Sequence, residues 1–321
     1  MRTREAFVWP DDKAALRRRA IRLEWITLAA MSSVILVLYL VLGNAQATRT
    51  AWIEDVLSLI PAMAYLAAAS VERRGPTKRF PFGLYRSVSI AYLVGATATL
   101  LVGVYLLVEN GMALSKAEHP TIGLMSVAGY DIWGGWLMMA ALLYSIIPPV
   151  ILGRLKMPIA REIHDKPLIA DASMQKADWM TGVGAIVGIV GVGLGFWWAD
   201  AVAAIFISLD VIHDGARHVW RAMGDLADRI PHTVDRDKLH PAIESARNAA
   251  ISVAGIRSVE VKLREEGHLL TGTVYAELID EEDVTSRLDH IRDAVEASDW
   301  RLYDIVVTPV HPRDLWNVKS S

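Results

Sequence analysis

Residues 164–198, HDKPLIADASMQKADWMTGVGAIVGIVGVGLGFWW, constrain this chain more than any other stretch. The segment starts polar and becomes an apolar, glycine-rich run. As a helix it is long enough to cross a bilayer, which takes about 20 residues. Asp171, Met174, Gln175 and Asp178 stand near its start at helical spacing, so they share one face. A carboxylate turned to lipid is costly, so this face is expected to look into protein or water. Two carboxylates, a thioether and an amide on such a face form a donor set for a cation.

The rest of the composition agrees with a membrane protein. Of 321 residues, 53% are apolar, and they cluster in long blocks over the first two thirds, whereas the last third is charged and mixed. A membrane domain followed by a soluble one is the expected organisation. A net charge of −3 is too balanced to suggest nucleic acid. With no cysteine there is no disulfide, thiolate metal site or cysteine nucleophile. The first apolar block follows a long polar arm without a small-residue cleavage site, so it reads as a retained helix.

In chain order, residues 1–22 form a basic arm with Arg17, Arg18, Arg19 and Arg22, expected on the cytoplasmic side. Six spans follow, at about 23–42, 50–71, 87–112, 131–152, 167–195 and 200–220, within a membrane domain of 23–224. The second span carries Glu54 and Asp55, with Ser58 a turn on and Pro61 expected to kink it. Asp55 is read as a cation ligand. Glu54 points about 100° away and is read as an interfacial carboxylate. The basic loop ERRGPTKRFPFGLYR places the second connection inside, and the loop after the fourth span, GRLKMPIAREIHDK, is again basic. Both termini are thus expected in the cytoplasm, with the chain in the plasma (inner) membrane. Gly103 and the Gly184/Gly188 and Gly191/Gly195 pairs suit close helix packing. Lys176 faces away from the acids of its own helix. It is expected to snorkel or to pair with an acid on another helix, such as Asp210. On the sixth span Asp210, His213, Asp214, Arg217 and His218 read as one polar face, either an ion-pairing surface, a dimer face or a second cation station.

Residues 225–321 read as a soluble domain. A helix over 235–253 precedes two alternating strands, IRSVEVKLR and LLTGTVYAEL, joined at Glu266-Gly267. A second helix over 282–297 and a strand over 302–310 complete an α-β-β-α-β order, expected as a small antiparallel ferredoxin-like sheet with helices on one face. No phosphate-cradling glycine motif, nucleophile elbow or helical zinc-protease pair occurs, so the chain is not read as an enzyme and no cofactor is expected.

These residues resemble the cation diffusion facilitator family of divalent-metal efflux proteins, over nearly the whole chain. PFGLYR (residues 81–86) resembles the family's P-[YF]-G-x-x-R stretch, and Ala170-Asp171-Ala172 through Asp178 resembles its A-D-x-x-H-x-x-x-D segment. The resemblance implies antiport of a divalent metal (zinc, manganese, iron, cobalt or nickel) against protons, in a homodimer held by the C-terminal domains. It places metal ligands at Asp55 and Asp178, with Asp171, Met174 and Ser58 nearby. Leu59 and Met174 stand where the family has further ligands, and Phe80 and Leu84 where its loop histidines often lie. His311 lies near a family metal position in the soluble domain, while His232, His240, His268 and His290 read as surface or capping residues. Those departures leave two alternatives: a non-transporting dimer partner or scaffold, and an exporter whose site has moved to Asp210, His213 and Asp214.

Overall fold

In the computed structural model, residues 6–41, 46–117, 123–127, 130–233, 238–280 and 283–310 are described. Six long helices come first: α1 (Asp11–Leu40), α2 (Gln46–Glu72), α3 (Ser87–Ser115), α4 (Gly134–Glu162), α5 (Lys166–Gly193) and α6 (Ala199–Leu226). Each of α1 to α4 contains an 18-residue stretch apolar enough to cross a membrane, and α5 adds a shorter apolar run, Asp178–Gly193. The chain divides into two compact units. Residues 12–73 and 90–223 form a helical unit; residues 1–11 and 74–89 join everything from 224 onward in the second.

Several expected boundaries move. The stretch read as a polar arm is helical from Asp11. α4 runs through Pro148, Pro149 and Pro158 and continues over most of the stretch expected to be a basic loop. The reason is burial, since Lys156, Ile159 and Ala160 on its last turns are all enclosed. Only residues 163–165 separate α4 from α5, whose start is set by Asp165. That carboxylate accepts a hydrogen bond from the Leu168 amide at 3.0 Å, with proline in the first turn. Between α3 and α4 lies an unforeseen antiparallel hairpin, β1 (Leu124–Val127) and β2 (Tyr130–Trp133). The α2 helix continues without a break through Pro61.

Two of the glycines expected to pack, Gly188 and Gly191, set the spacing of α5 and α6, whereas Gly195 lies beyond α5 with nothing within 4 Å of where its Cβ would stand. A Cβ on Gly188 would lie 3.1 Å from that of Ala203, and one on Gly191 only 2.4 Å from that of Ala199. The same device brings α3 to α6, where a Cβ on Gly103 would meet Ile212 at 2.9 Å. One apolar cluster of this unit gathers Val34 and Leu38 of α1, Ala51 of α2, Leu142 of α4, Ala185 and Ile189 of α5 and Ala204 of α6.

In the second unit α7 (Pro241–Ile251), β3 (Ile256–Glu266), β4 (Leu269–Leu278), α8 (Val284–Ser298) and β5 (Leu302–Pro309) follow in the expected order. α7 begins later than read because Pro241 occupies its first turn and the His240 ring accepts the Ala242 amide at 3.1 Å. The sheet order is β3-β4-β5. It is mixed rather than antiparallel: β3 and β4 form a hairpin, but β5 runs parallel to β4. A helical crossover through α8 returns the chain in the same direction, which a tight turn cannot do. Ala246, Ala250, Leu270, Val274, Ile291 and Ile305 are among the enclosed residues of its core. Arg301, 2% exposed, is buried there against the His268 carbonyl at 2.8 Å, the His240 ring at 3.0 Å and Glu265 at 3.9 Å. His240 is thus a capping residue as expected, though enclosed, whereas His268 is interior and not a surface residue. His311 lies outside the described residues.

Candidate cation site between four helices

Four helices of the first unit line one cavity of about 20 Å³, enough for a single water or bare cation. α2 contributes Glu54 and Leu57, and α3 contributes Thr99, Val102 and Leu106. α5 contributes Met174 and Asp178, and α6 Val211 and Asp214. Glu54 and Asp178 are 7% and 6% exposed, and each has one buried oxygen, Oε2 and Oδ2 respectively, without a hydrogen-bond partner among the described residues. A buried carboxylate oxygen left unpaired is expensive and calls for a partner, either a proton or a cation.

Glu54 is therefore not the interfacial residue expected. It faces inward with Asp178, beside the Thr181 hydroxyl, which donates to the Asp178 carbonyl at 2.7 Å. Asp55 is also buried, at 6% exposure, but it does not line the cavity. Ser58 is buried one turn on and donates its hydroxyl to the Asp55 carbonyl at 2.8 Å. Gln175 is 3% exposed, and its Oε1 likewise has no partner among the described residues. Among the described residues no three histidine or carboxylate side chains stand close enough to enclose an ion by themselves.

Asp171 departs from expectation. It shares a face with Asp178 but is engaged elsewhere. Its Oδ2 receives the Lys156 ammonium at 2.5 Å, and that ammonium also reaches Glu24 Oε2 at 3.0 Å. All three side chains are enclosed, so α1, α4 and α5 are tied by one buried triad. Neither Glu24 nor Lys156 had been singled out. Lys156 sat in a stretch read as a loop, and Glu24 at the edge of an arm.

The polar face expected on α6 divides. His218 is buried and hydrogen-bonded to the Tyr92 hydroxyl at 2.7 Å. Asp210 is exposed instead of deep, and His213 is exposed and held 2.6 Å from Arg217. Asp214, 3.7 Å from Arg217, turns to the cavity. The side chain of Lys176 lies outside the described residues.

Glu54 and Asp178 thus come from two different helices and bring to one enclosed cavity a carboxylate oxygen each that has no partner among the described residues. The chain matches the family described as the cation efflux transmembrane domain over residues 25–227, well over half its length. It belongs to that family as a divergent member, and is thus a membrane transporter of the cation efflux type and not an enzyme. It is 26% identical over 290 residues to the uncharacterized transporter YdbO of Bacillus subtilis (strain 168), covering 86% of this chain and 92% of that one. It is 24% identical over 168 residues to the manganese efflux system protein MneS of the same organism, covering 52% of this chain and 54% of MneS. A probable cation efflux system protein of Mycobacterium tuberculosis is 24% identical over 262 residues, 81% of this chain and 72% of that protein.

Proposed function

We propose that the protein exports a divalent metal ion in exchange for protons, gripping it between Glu54 of α2 and Asp178 of α5. The observation that carries this reading is the pair of unpartnered, buried carboxylate oxygens on one cavity. Two carboxylates neutralise one divalent charge, and protonating both would release it, so one site serves both directions of exchange. Met174 and Asp214 line the same space. Asp55 is buried on the same helix next to Glu54, and Ser58 donates its hydroxyl to the Asp55 carbonyl. Asp171 takes no part in gripping the ion, because Lys156 already occupies it.

The site offers mainly oxygen donors plus one thioether. Carboxylate oxygens suit harder ions such as manganese or ferrous iron, while the thioether suits softer ones. The likeness to a protein named for manganese efflux supports trying manganese first, with iron, cobalt, nickel and zinc as comparators. The reading includes six membrane crossings, both termini in the cytoplasm, residence in the plasma (inner) membrane and a homodimer joined through the C-terminal domains. No separate cofactor is needed.

The deciding experiment is metal flux into proteoliposomes with and without a pH gradient. The parent protein is expected to move manganese faster when a gradient is imposed, and Glu54→Gln and Asp178→Asn are expected to abolish the flux. Unchanged flux in both variants for all five metals would refute this site. A second reading, a non-transporting partner of a transporting relative, draws on the lack of a complete carboxylate or histidine cluster among the described residues. It predicts no flux from the parent alone and an altered abundance of the relative on coexpression. An exporter centred on Asp210, His213 and Asp214 has less support, because two of these side chains are exposed and His213 is bound to Arg217.

A further inference from the structure

The fourteen residues that join Glu72 of α2 to Ser87 of α3 include five arginine and lysine side chains and no acid. They form an ordered turn. The Thr77 amide donates to the Phe80 carbonyl at 2.9 Å, the Phe80 amide donates back to the Thr77 carbonyl at 3.1 Å, and the Gly83 amide donates to the Phe80 carbonyl at 3.0 Å. At the tip, Phe82 is 70% and Phe80 44% exposed. Arg74, Lys78 and Arg79 are exposed beside them, with the Arg79 guanidinium 5.8 Å from the centre of the Phe80 ring.

The far end of the turn is anchored. Tyr85 is buried, its hydroxyl accepts the Phe7 amide at 3.2 Å, and its ring meets that of Tyr303 at 5.9 Å. Arg86 is held by Asp228 at 2.5 Å. The tip is thus a stiff projection on the C-terminal unit, with two aromatic rings facing outward among uncompensated cations. Topology alone would require only the positive charges. It gives no reason to expose two phenylalanines on a short connection between helices able to span a membrane. Phenylalanine on an interfacial segment buries its ring at the headgroup and acyl-chain boundary, and arginine and lysine are drawn to anionic lipid.

We propose that the turn at Lys78–Phe82 is a membrane-docking site for anionic phospholipid headgroups, with Phe80 and Phe82 inserted at the interface and Arg74, Lys78 and Arg79 pairing with lipid phosphates. The occupant is a lipid surface because the turn is covalently held between two membrane-capable helices and carries only positive charge.

The chain has no cysteine, so Phe82→Cys provides a single labelling position. The full-length variant is labelled with a polarity-sensitive dye and placed in detergent, in zwitterionic vesicles and in vesicles with about one third anionic lipid. The expected result is a blue-shifted emission and a quenching constant for the neutral quencher acrylamide about threefold lower in anionic vesicles than in zwitterionic ones. Raising salt to about 0.5 M should remove most of that difference, since screening shortens the reach of the cations. Adding Arg74→Gln, Lys78→Gln and Arg79→Gln should also remove it. Equal quenching in both vesicle types overturns the proposal. Protection that survives both salt and the neutral tip overturns it as well. The salt comparison needs no charge variant and decides the matter even where the multiple variant fails to fold.

Discussion

The Lys156 ammonium and the Asp171 carboxylate meet at 2.5 Å across α4 and α5, with neither side chain more than 3% exposed. Lys156 serves a second carboxylate, Glu24, at 3.0 Å, so the triad carries one more negative group than positive. Removing the lysine would leave two buried carboxylates facing each other without a counter-ion. Lys156→Met should therefore lower stability by about 3–5 kcal/mol. The triple change Glu24→Gln, Lys156→Met, Asp171→Asn should recover most of that loss, because a neutral group of similar volume needs no compensation. Thermal unfolding of the detergent-purified protein measures both; equal melting temperatures for the single and triple variants would contradict the assignment.

Glu54 and Asp55 are sequence neighbours placed differently, and they should respond differently. Glu54→Gln removes a carboxylate from the cavity wall, whereas Asp55→Asn removes one behind it. The expected outcome is loss of metal flux for the first and a decline of about tenfold or less for the second, corresponding to about 1.4 kcal/mol. Initial rates over a range of manganese concentrations separate the two. A larger defect for Asp55→Asn would return that residue to the centre of the site.

Arg301 lies enclosed in the C-terminal unit with three partners. Arg301→Met keeps the length but leaves the His268 carbonyl without this donor and Glu265 without the guanidinium beside it. A cost of about 2–4 kcal/mol is expected. Amide hydrogen exchange in the intact protein should accelerate along β4 and β5, where Leu270 donates to the Arg301 carbonyl at 2.8 Å. Unchanged protection there would show that the buried guanidinium adds nothing.

Gly267 has a φ of +64°, and a Cβ there would lie 2.5 Å from the Tyr85 carbonyl oxygen. Gly267→Ala combines backbone strain of about 1–2 kcal/mol with that collision. The expected consequence is release of the 74–89 segment from the C-terminal unit, read as faster proteolysis after Arg79 or Arg86 than in the parent. An unchanged cleavage pattern would mean that the segment accommodates the methyl.

Much of the architecture was legible because it rests on local rules. The alternation in IRSVEVKLR and LLTGTVYAEL, and the glycine between them, yield β3, β4 and their turn at nearly the expected residues. The glycines of α5 were read as packing positions, and Gly188 and Gly191 meet α6 closely. The direction of β5 was not legible, since the α-β-β-α-β order is compatible with more than one strand pairing. The reach of α4 past three prolines was hidden for another reason: a basic stretch read alone looks like a loop, and only Glu24 and Asp171 explain why Lys156 can be inside.

The candidate site shows the same division. Periodicity placed Met174 and Asp178 on one face of α5, and the acids of α2 within a span, because helical geometry depends only on spacing. Both adjacent acids of α2 are enclosed, and which of them lines the cavity depends on the rotation of the whole helix against its neighbours, α5 among them. Asp171 and Asp178 look equivalent along one helix, yet one meets an ammonium from α4 and the other stays unpaired. The sequence by itself determined that carboxylates would be enclosed among apolar helices. Tertiary structure alone decided which would meet a lysine and which would keep an oxygen without a partner among the described residues, because charge compensation is a matter of distance in space and not of separation along the chain.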